Sequence, residues 1–290
     1  MFKGSFVAIV TPFRDGQLDE AAFRQLLEFH LGNGTHGIVP CGTTGESPTL
    51  SHDEYERVIE ITVEMVHGRL PVIAGTGFNS TDKTIEATRF AKKAGAEAAL
   101  IVTPYYNRPT PEGIYQHFAA VAKAVDIPIV VYNIPGRTGT NILPETMARL
   151  ASIDTVVAVK ESTGSLQQVQ EMIKLCGDKL TVLSGDDWAT LPLLSVGGKG
   201  VISVTANIAP RQVAAVINEW EKGNLAGARE LHYQLWPLHS TLFIETSPTP
   251  VKTALGMMGK ISPEVRLPLA AMLPHNRTKL EMALKDFGLL

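Results

Sequence analysis

The feature that most constrains this chain is a repeating order of elements. Eight short runs rich in Val, Ile and aromatic residues recur up to position 207, their starts about 20 to 34 residues apart. They cover 6–13, 37–46, 71–77, 98–106, 128–135, 156–162, 180–187 and 200–207. That spacing is the length of one βα unit. The segments between them read as helices. Segment 19–31 places Ala22, Phe23, Leu26, Leu27 and His30 on one face. Segment 51–66 opens with Ser51 and carries Glu54 three residues on, a capping box. Segments 80–94 and 110–124 follow the same scheme, and 165–175 and 188–196 are shorter. Near-continuous apolar strands are buried on both faces, which is the habit of a parallel sheet. Their alternation with helices predicts an α/β fold, a (β/α)8 TIM barrel. A doubly wound open sheet is the competing architecture, but it usually has fewer strands and a Gly-rich first turn. Here GTGFNS from Gly75 follows the third run and does not read G-x-G-x-x-G. Beyond Asn207 the strand pattern stops, and 210–222, 225–239, 250–258 and 277–287 read as helices. The expected organisation is a catalytic barrel over 1–224 and a C-terminal helical region over 225–290.

Composition removes other classes. Of 290 residues 44% are hydrophobic and 19% charged, with a net charge of −3. Such a chain is too apolar to be disordered. It lacks the basic excess of a nucleic-acid surface. No run approaches the roughly 18 to 20 apolar residues that span a membrane. Pro12, Arg14 and Asp15 cut short the first apolar run, which reads as a strand rather than a signal peptide. Two cysteines, Cys41 and Cys176, cannot build a disulfide framework, so the expectation is a reduced, cytoplasmic protein. The N-x-S/T matches at Asn79 and Asn276 are then chance.

Barrel active sites lie at the carboxyl ends of the strands, so candidates are sought there. Lys160 continues the apolar run Val156-Val157-Ala158-Val159 into the expected mouth. Desolvation disfavours an ammonium, and a neutral amine adds to a ketone to form a Schiff base. The plainer reading is a lysine that snorkels to solvent. Tyr132 also ends an apolar strand, and a phenol beside an amine can shuttle protons. Its plainer reading is an amphipathic core residue. Gly42-Thr43-Thr44-Gly45 offers hydroxyl and amide donors to a small carboxylate, or is an ordinary loop. Arg137 can clamp a second carboxylate through two parallel bonds, or is a surface arginine. There is no H-E-x-x-H, no Cys/His cluster, no Walker A sequence and no G-x-S-x-G elbow. His52 reads as a solvated or interface residue, not a base. Asp186 and Asp187 lack a visible third metal ligand and read as a loop or helix cap. No metal or organic cofactor is expected.

Taken together, GTTGE, TPYYNRP, YNIPGRTG, the lysine of VAVKESTG, LSGDD and GVISVTAN resemble the dihydrodipicolinate synthase family, in order and over essentially the whole chain. That family condenses pyruvate with L-aspartate 4-semialdehyde in diaminopimelate and lysine synthesis. The resemblance implies that Lys160 is the Schiff-base lysine and Tyr132 the proton donor and acceptor. It implies that Thr43 and Tyr106 complete a proton relay, with Tyr106 reaching in from a neighbouring subunit. Thr44 and Ile202 match pyruvate contacts, with Gly185 nearby, and Arg137 matches the arginine that holds the semialdehyde's carboxylate. A homotetramer built as a dimer of dimers is implied, with no cofactor. Positions Ser47, Pro48, His52, Tyr55, Asn79, Lys83 and Tyr105 match a lysine-binding regulatory site. Inhibited members often carry Glu where Lys83 stands and His where Tyr55 stands, so weak or absent lysine inhibition is expected.

N-acetylneuraminate lyases and keto-deoxy sugar acid aldolases share the barrel, the lysine and the tyrosine. Sialate lyases typically show Gly-Ser-Thr-Gly-Glu in place of GTTGE and lack an arginine at the Arg137 position. A non-catalytic keto-acid-binding barrel would have lost the lysine or the tyrosine, and both are present.

Overall fold

Successive residues of a strand face opposite sides, and this alternation sorts the apolar runs into two layers. The computed structural model describes residues 2–290. Its barrel strands are β1 (Gly4–Ala8), β2 (Gly37–Val39), β3 (Ile73–Gly75), β4 (Ala98–Val102), β5 (Ile129–Asn133), β6 (Val156–Glu161), β7 (Thr181–Ser184) and β8 (Gly200–Ser203). They form one parallel sheet in the order β2-β1-β8-β7-β6-β5-β4-β3. The ends meet where Ile38 bridges Val72 and where Gly75 N–H donates to the Pro40 carbonyl at 2.9 Å. This is a TIM barrel.

Inward residues Phe6, Ala8, Val39, Ile73, Ala98, Leu100, Val130, Tyr132, Ala158, Leu183 and Ile202 fill its interior. Outward residues pack under the helices α1 (Glu20–Leu31), α2 (His52–Val66), α3 (Thr81–Ala94), α4 (Pro111–Ala124), α5 (Pro144–Leu150), α6 (Leu166–Cys176), α7 (Thr190–Ser195) and α8 (Pro210–Glu221). The capping box at Ser51 is present: its side chain accepts from Glu54 N–H, and Ser51 N–H donates to the Glu54 carboxylate at 2.9 Å.

Three helices follow, α9 (Leu225–Thr241), α10 (Thr249–Met257) and α11 (Pro274–Asp286). Their Leu235, Leu238, Val251, Ala254, Leu255 and Leu284 join the same buried cluster as Val7, Ile9 and Val58. No helix among the described residues is long and apolar enough to cross a membrane.

The strands are shorter than the apolar runs. The run over 37–46 yields a strand only to Val39, because Pro40 has no N–H for the ladder. The remainder forms the loops of the mouth. Several short elements escape the sequence reading. One is a single helical turn over Pro135–Thr138. Helix α5 mixes Pro144 and Thr146 with Met147 and Leu150 on its buried face, so no apolar stripe shows. A small hairpin pairs Phe13–Arg14 with Gln17–Leu18 around Asp15-Gly16, both at positive φ (53° and 77°). That Asp-Gly pair is a hairpin signal visible in the sequence.

Candidate active site

The reactive end of the barrel is built first by register. Tyr132 on β5 pairs directly with Lys160 on β6, and each faces inward by alternation from Val130 and Ala158. The Lys160 side chain is 5% exposed, and its Nζ lies 4.2 Å from the centre of the Tyr132 ring. A lysine snorkelling to solvent is therefore not what the fold contains. Gly185, on the loop after β7, leaves room for it. A Cβ there would sit 3.0 Å from Lys160 Cε and 1.9 Å from Ser162 Oγ. That Ser162 hydroxyl is buried and has no protein partner. Ile202 is fully buried in the interior layer.

A cavity of about 200 Å³ opens at the mouth, lined among others by Thr43, Leu100, Tyr105, Tyr132 and Arg137. Thr43 and Thr44 ride on a loop of two successive turns, Gly45 N–H to Gly42 O and Glu46 N–H to Thr43 O, both 3.1 Å. Thr44 is buried and Thr43 half-buried. Arg137 is exposed at the rim, and its Nη2 donates to the Ser247 carbonyl at 3.1 Å.

Sequence reasoning missed what holds this loop. Glu46, the last residue of GTTGE, adopts a left-handed conformation (φ 53°) and turns its carboxylate into the protein. It meets Lys252 Nζ of α10 at 2.6 Å, with side chains 1% and 0% exposed. Lys252 also donates to Thr11 O at 2.8 Å, and Arg266 N–H donates to the second Glu46 oxygen at 3.1 Å. Burial lowers the Lys252 pKa, and the Glu46 charge opposes that. Nothing local in GTTGE announces a partner so distant in sequence.

The two aspartates separate in role. Asp187 is a loop clasp, as expected: its carboxylate accepts from Ser203 Oγ and from the Val204 and Thr205 N–H groups at 3.0 Å. The Asp186 carboxyl is pushed up to about 6 by burial, against the pull of the Lys160 charge. It holds the N-cap position of the short 3-10 turn Asp187–Ala189 without a side-chain cap bond, and its charge bears on Lys160. Among the described residues no group of three or more His, Cys, Asp or Glu side chains is placed to hold a metal.

Tyr106 stands apart. It is 89% exposed, with φ at 71°, and does not enter the mouth of its own chain. Its neighbour Tyr105 lines the cavity instead. A second chamber of about 410 Å³ shares the wall made by Ser47, Pro48, Phe78 and Tyr105. Its lining includes His52, Tyr55, Asn79 and Lys83, together with Glu56 and Glu86. The positions read as a regulatory set thus lie around one chamber. Tyr55 is buried and its hydroxyl donates to the Gly75 carbonyl at 2.8 Å. His52 is largely exposed and pairs with Glu56 at 3.3 Å.

Comparison with known proteins agrees with this geometry. Residues 1–287 match the model of the dihydrodipicolinate synthetase family. The chain belongs to that family. A 4-hydroxy-tetrahydrodipicolinate synthase of Thermodesulfovibrio yellowstonii is 59% identical over 290 residues, covering 100% of both chains. The dihydrodipicolinate synthase structure from Aquifex aeolicus superposes with a TM-score of 0.98 at 50% identity, covering 99% of each chain. A chloride-inhibited dihydrodipicolinate synthase from Acinetobacter baumannii, complexed with pyruvate, gives 0.98 at 45% identity over 100% of both chains. These relatives are lyases, and they support the synthase reading over the sugar-acid aldolase alternative.

Proposed function

We propose that this protein is a 4-hydroxy-tetrahydrodipicolinate synthase that condenses pyruvate with L-aspartate 4-semialdehyde through a Schiff base on Lys160. The observation that carries the reading is the buried Lys160 amine against the face of Tyr132, whose ring lines the small cavity at the barrel mouth. Neutral Lys160 adds to the pyruvate ketone, forming a C–N bond as the carbonyl electrons move to oxygen. Tyr132, with Thr43 and a Tyr106 from a second copy, passes protons so that this oxygen leaves as water. The resulting iminium draws electrons from the pyruvate methyl, which loses a proton and becomes an enamine. The enamine carbon bonds to the aldehyde carbon, and the new alkoxide takes a proton. The semialdehyde's own amine then displaces the Lys160 amine and closes the ring. Every bond change is balanced by proton transfer, and no net oxidation occurs.

The hydroxyls and N–H groups of the Thr43-Thr44 turns suit the pyruvate carboxylate, with Ile202 and Gly185 bounding the reacting carbons. Arg137 takes the semialdehyde's carboxylate at the rim. The exposed Tyr106 finds its relay in at least a second copy, in keeping with the homotetramer, a dimer of dimers, and the cytoplasmic location that the family resemblance implies. The chamber beside the mouth is a weak lysine site: the Lys83 ammonium offsets the pull of Glu56 and Glu86 on a bound ammonium, and the Tyr55 hydroxyl is already engaged. Strong inhibition by sub-millimolar lysine would count against that last assignment.

The deciding experiment measures pyruvate-dependent consumption of L-aspartate 4-semialdehyde beside N-acetylmannosamine and glyceraldehyde. Turnover confined to the semialdehyde is expected, with its KM raised roughly 10- to 100-fold in Arg137→Ala. Turnover with a sugar aldehyde would make this a sugar-acid lyase.

A further inference from the structure

Directly behind the reacting pair lies a second pair. On β5 and β6 the residue after Tyr132 is Asn133 and the residue after Lys160 is Glu161, and they too are register partners. By alternation they face outward, into the layer where Ile129, Val131 and Val159 pack against the helices. Both are buried. An apolar pair would fill this layer without the desolvation cost of an amide and a carboxylate. Instead Asn133 Nδ2 donates to Glu161 Oε2 at 2.9 Å, and Thr163 N–H donates to Glu161 Oε1 at 2.8 Å. Asn133 Oδ1 accepts from Ile142 N–H at 3.0 Å, and its Nδ2 also reaches Asn141 Oδ1 at 2.9 Å. Gln168 and Asn141 close the network through reciprocal amide bonds of 2.9 and 3.0 Å.

We infer that the Asn133–Glu161 hydrogen bond is a positioning clasp that fixes Tyr132 and Lys160 relative to each other. The backbone ladder alone is a poor guarantee of that spacing, because the β5–β6 register shifts between Ile129 and Val130. The clasp pins the two strands at their other end, one residue beyond the reacting side chains. It also fixes the departure of the loop after β6, where Ser162 N–H donates to Asn133 O at 2.9 Å. A buried polar network of this kind is directional, so it specifies one arrangement where an apolar contact would tolerate several. The inference rests on the assignment of Lys160 and Tyr132 as the reacting pair.

The test uses the isosteric exchanges Glu161→Gln, Asn133→Asp and the two combined. In Glu161→Gln two donors compete for one oxygen. In Asn133→Asp two carboxyls face each other. In the combined variant donor and acceptor trade places and the bond between the positions returns, with the Asn141 and Gln168 amides flipping together so that Asn141 Nδ2 donates to the new carboxylate. Each single change is expected to lower kcat roughly 10- to 100-fold, the scale of a small misplacement of reacting groups. The pyruvate KM should move by less than about threefold, and the combined variant should recover about tenfold of the lost kcat. Single variants with unaltered kcat, or a combined variant no better than the worse single, would overturn the clasp. If Asn133→Asp does not fold alone, Glu161→Gln against the combined variant makes the same comparison. Borohydride trapping with pyruvate in the unaltered protein separates the two levels. An adduct absent from Lys160 overturns the assignment beneath the clasp, whereas an adduct on Lys160 with unaffected variants overturns the clasp only.

Discussion

Two sides of the barrel mouth are built on opposite plans. On the β5–β6 side Lys160 and Tyr132 are set in place by contacts within this chain. The pair is in register, the Asn133–Glu161 bond stands behind it, and Gly185 clears space in front. The loop 105–108 is the reverse. Tyr106 and Arg108 both take positive φ (71° and 45°), unusual for residues with a Cβ, and Tyr106 projects into solvent. Its one side-chain tether nearby is Asn107 Nδ2 to Asn79 O at 2.7 Å. On the proposed reading, the chain sets its own nucleophile in place and the exposed Tyr106 serves the relay of another copy.

Substitutions on the two sides should therefore fail in different ways. The largest effect is expected at Lys160→Ala, which removes the nucleophile. Turnover should fall more than about 10⁴-fold, and borohydride should trap no pyruvate adduct on the protein. Tyr132→Phe keeps the ring under the ammonium but deletes the proton carrier, so kcat should fall about 10²- to 10³-fold while melting is unchanged. Tyr106→Phe should cost less, roughly 10- to 100-fold, because one member of a shared relay is lost. It should also be complemented: a mixture of Tyr106→Phe and Lys160→Ala chains, unfolded and reassembled together, should regain activity that neither shows alone. Absence of such recovery would erase the contrast between the two sides.

The smallest effect tests, through pH, the support of the Thr43-Thr44 loop, which belongs to neither side. Arg266 holds Glu54 with Nη–Oε distances of 2.5 and 2.6 Å and also reaches the Thr49 carbonyl at 2.9 Å, beside the Thr43-Thr44 loop. The Arg266 guanidinium holds the Glu54 carboxyl down at about 2, from an ordinary 4.5. A carboxyl depressed in the folded state stabilises above its unfolded pKa, and that stabilisation is lost as pH falls toward the folded value. Glu54→Gln should lower the denaturant midpoint at pH 7, and the difference should shrink below about pH 4.5. A difference of the same size at pH 3 would place the effect in packing.

The barrel and its reacting pair were legible because their signals are local. Apolar runs at βα spacing give the strands, and period-two alternation carries Lys160 and Tyr132 inward. Asn133 and Glu161 sit in the same motifs yet were silent, since their meaning depends on which strand lies beside which. Glu46 was read only as part of a loop, because its partner stands 206 positions away. The left-handed turn that sends Tyr106 outward follows from loop closure, not from residue type. Helix α5 was missed because Pro144 and Thr146 share its buried face with Met147 and Leu150.

The Glu46–Lys252 contact also sets an order of events in the life of the chain. During synthesis Glu46 emerges long before Lys252 and Arg266 exist. Until α10 arrives, closing the mouth would seal an unpaired carboxylate in the protein, a loss of about 3–5 kcal/mol when one partner of a buried pair is missing. A nascent barrel with all eight strands already made is therefore expected to keep its Thr43-Thr44 loop unset, and stalled chains ending before and after α10 should differ in proteolysis within that loop. On the proposed reading, Lys160 is in place early and the turn offered to the pyruvate carboxylate is set only once the last helices are made.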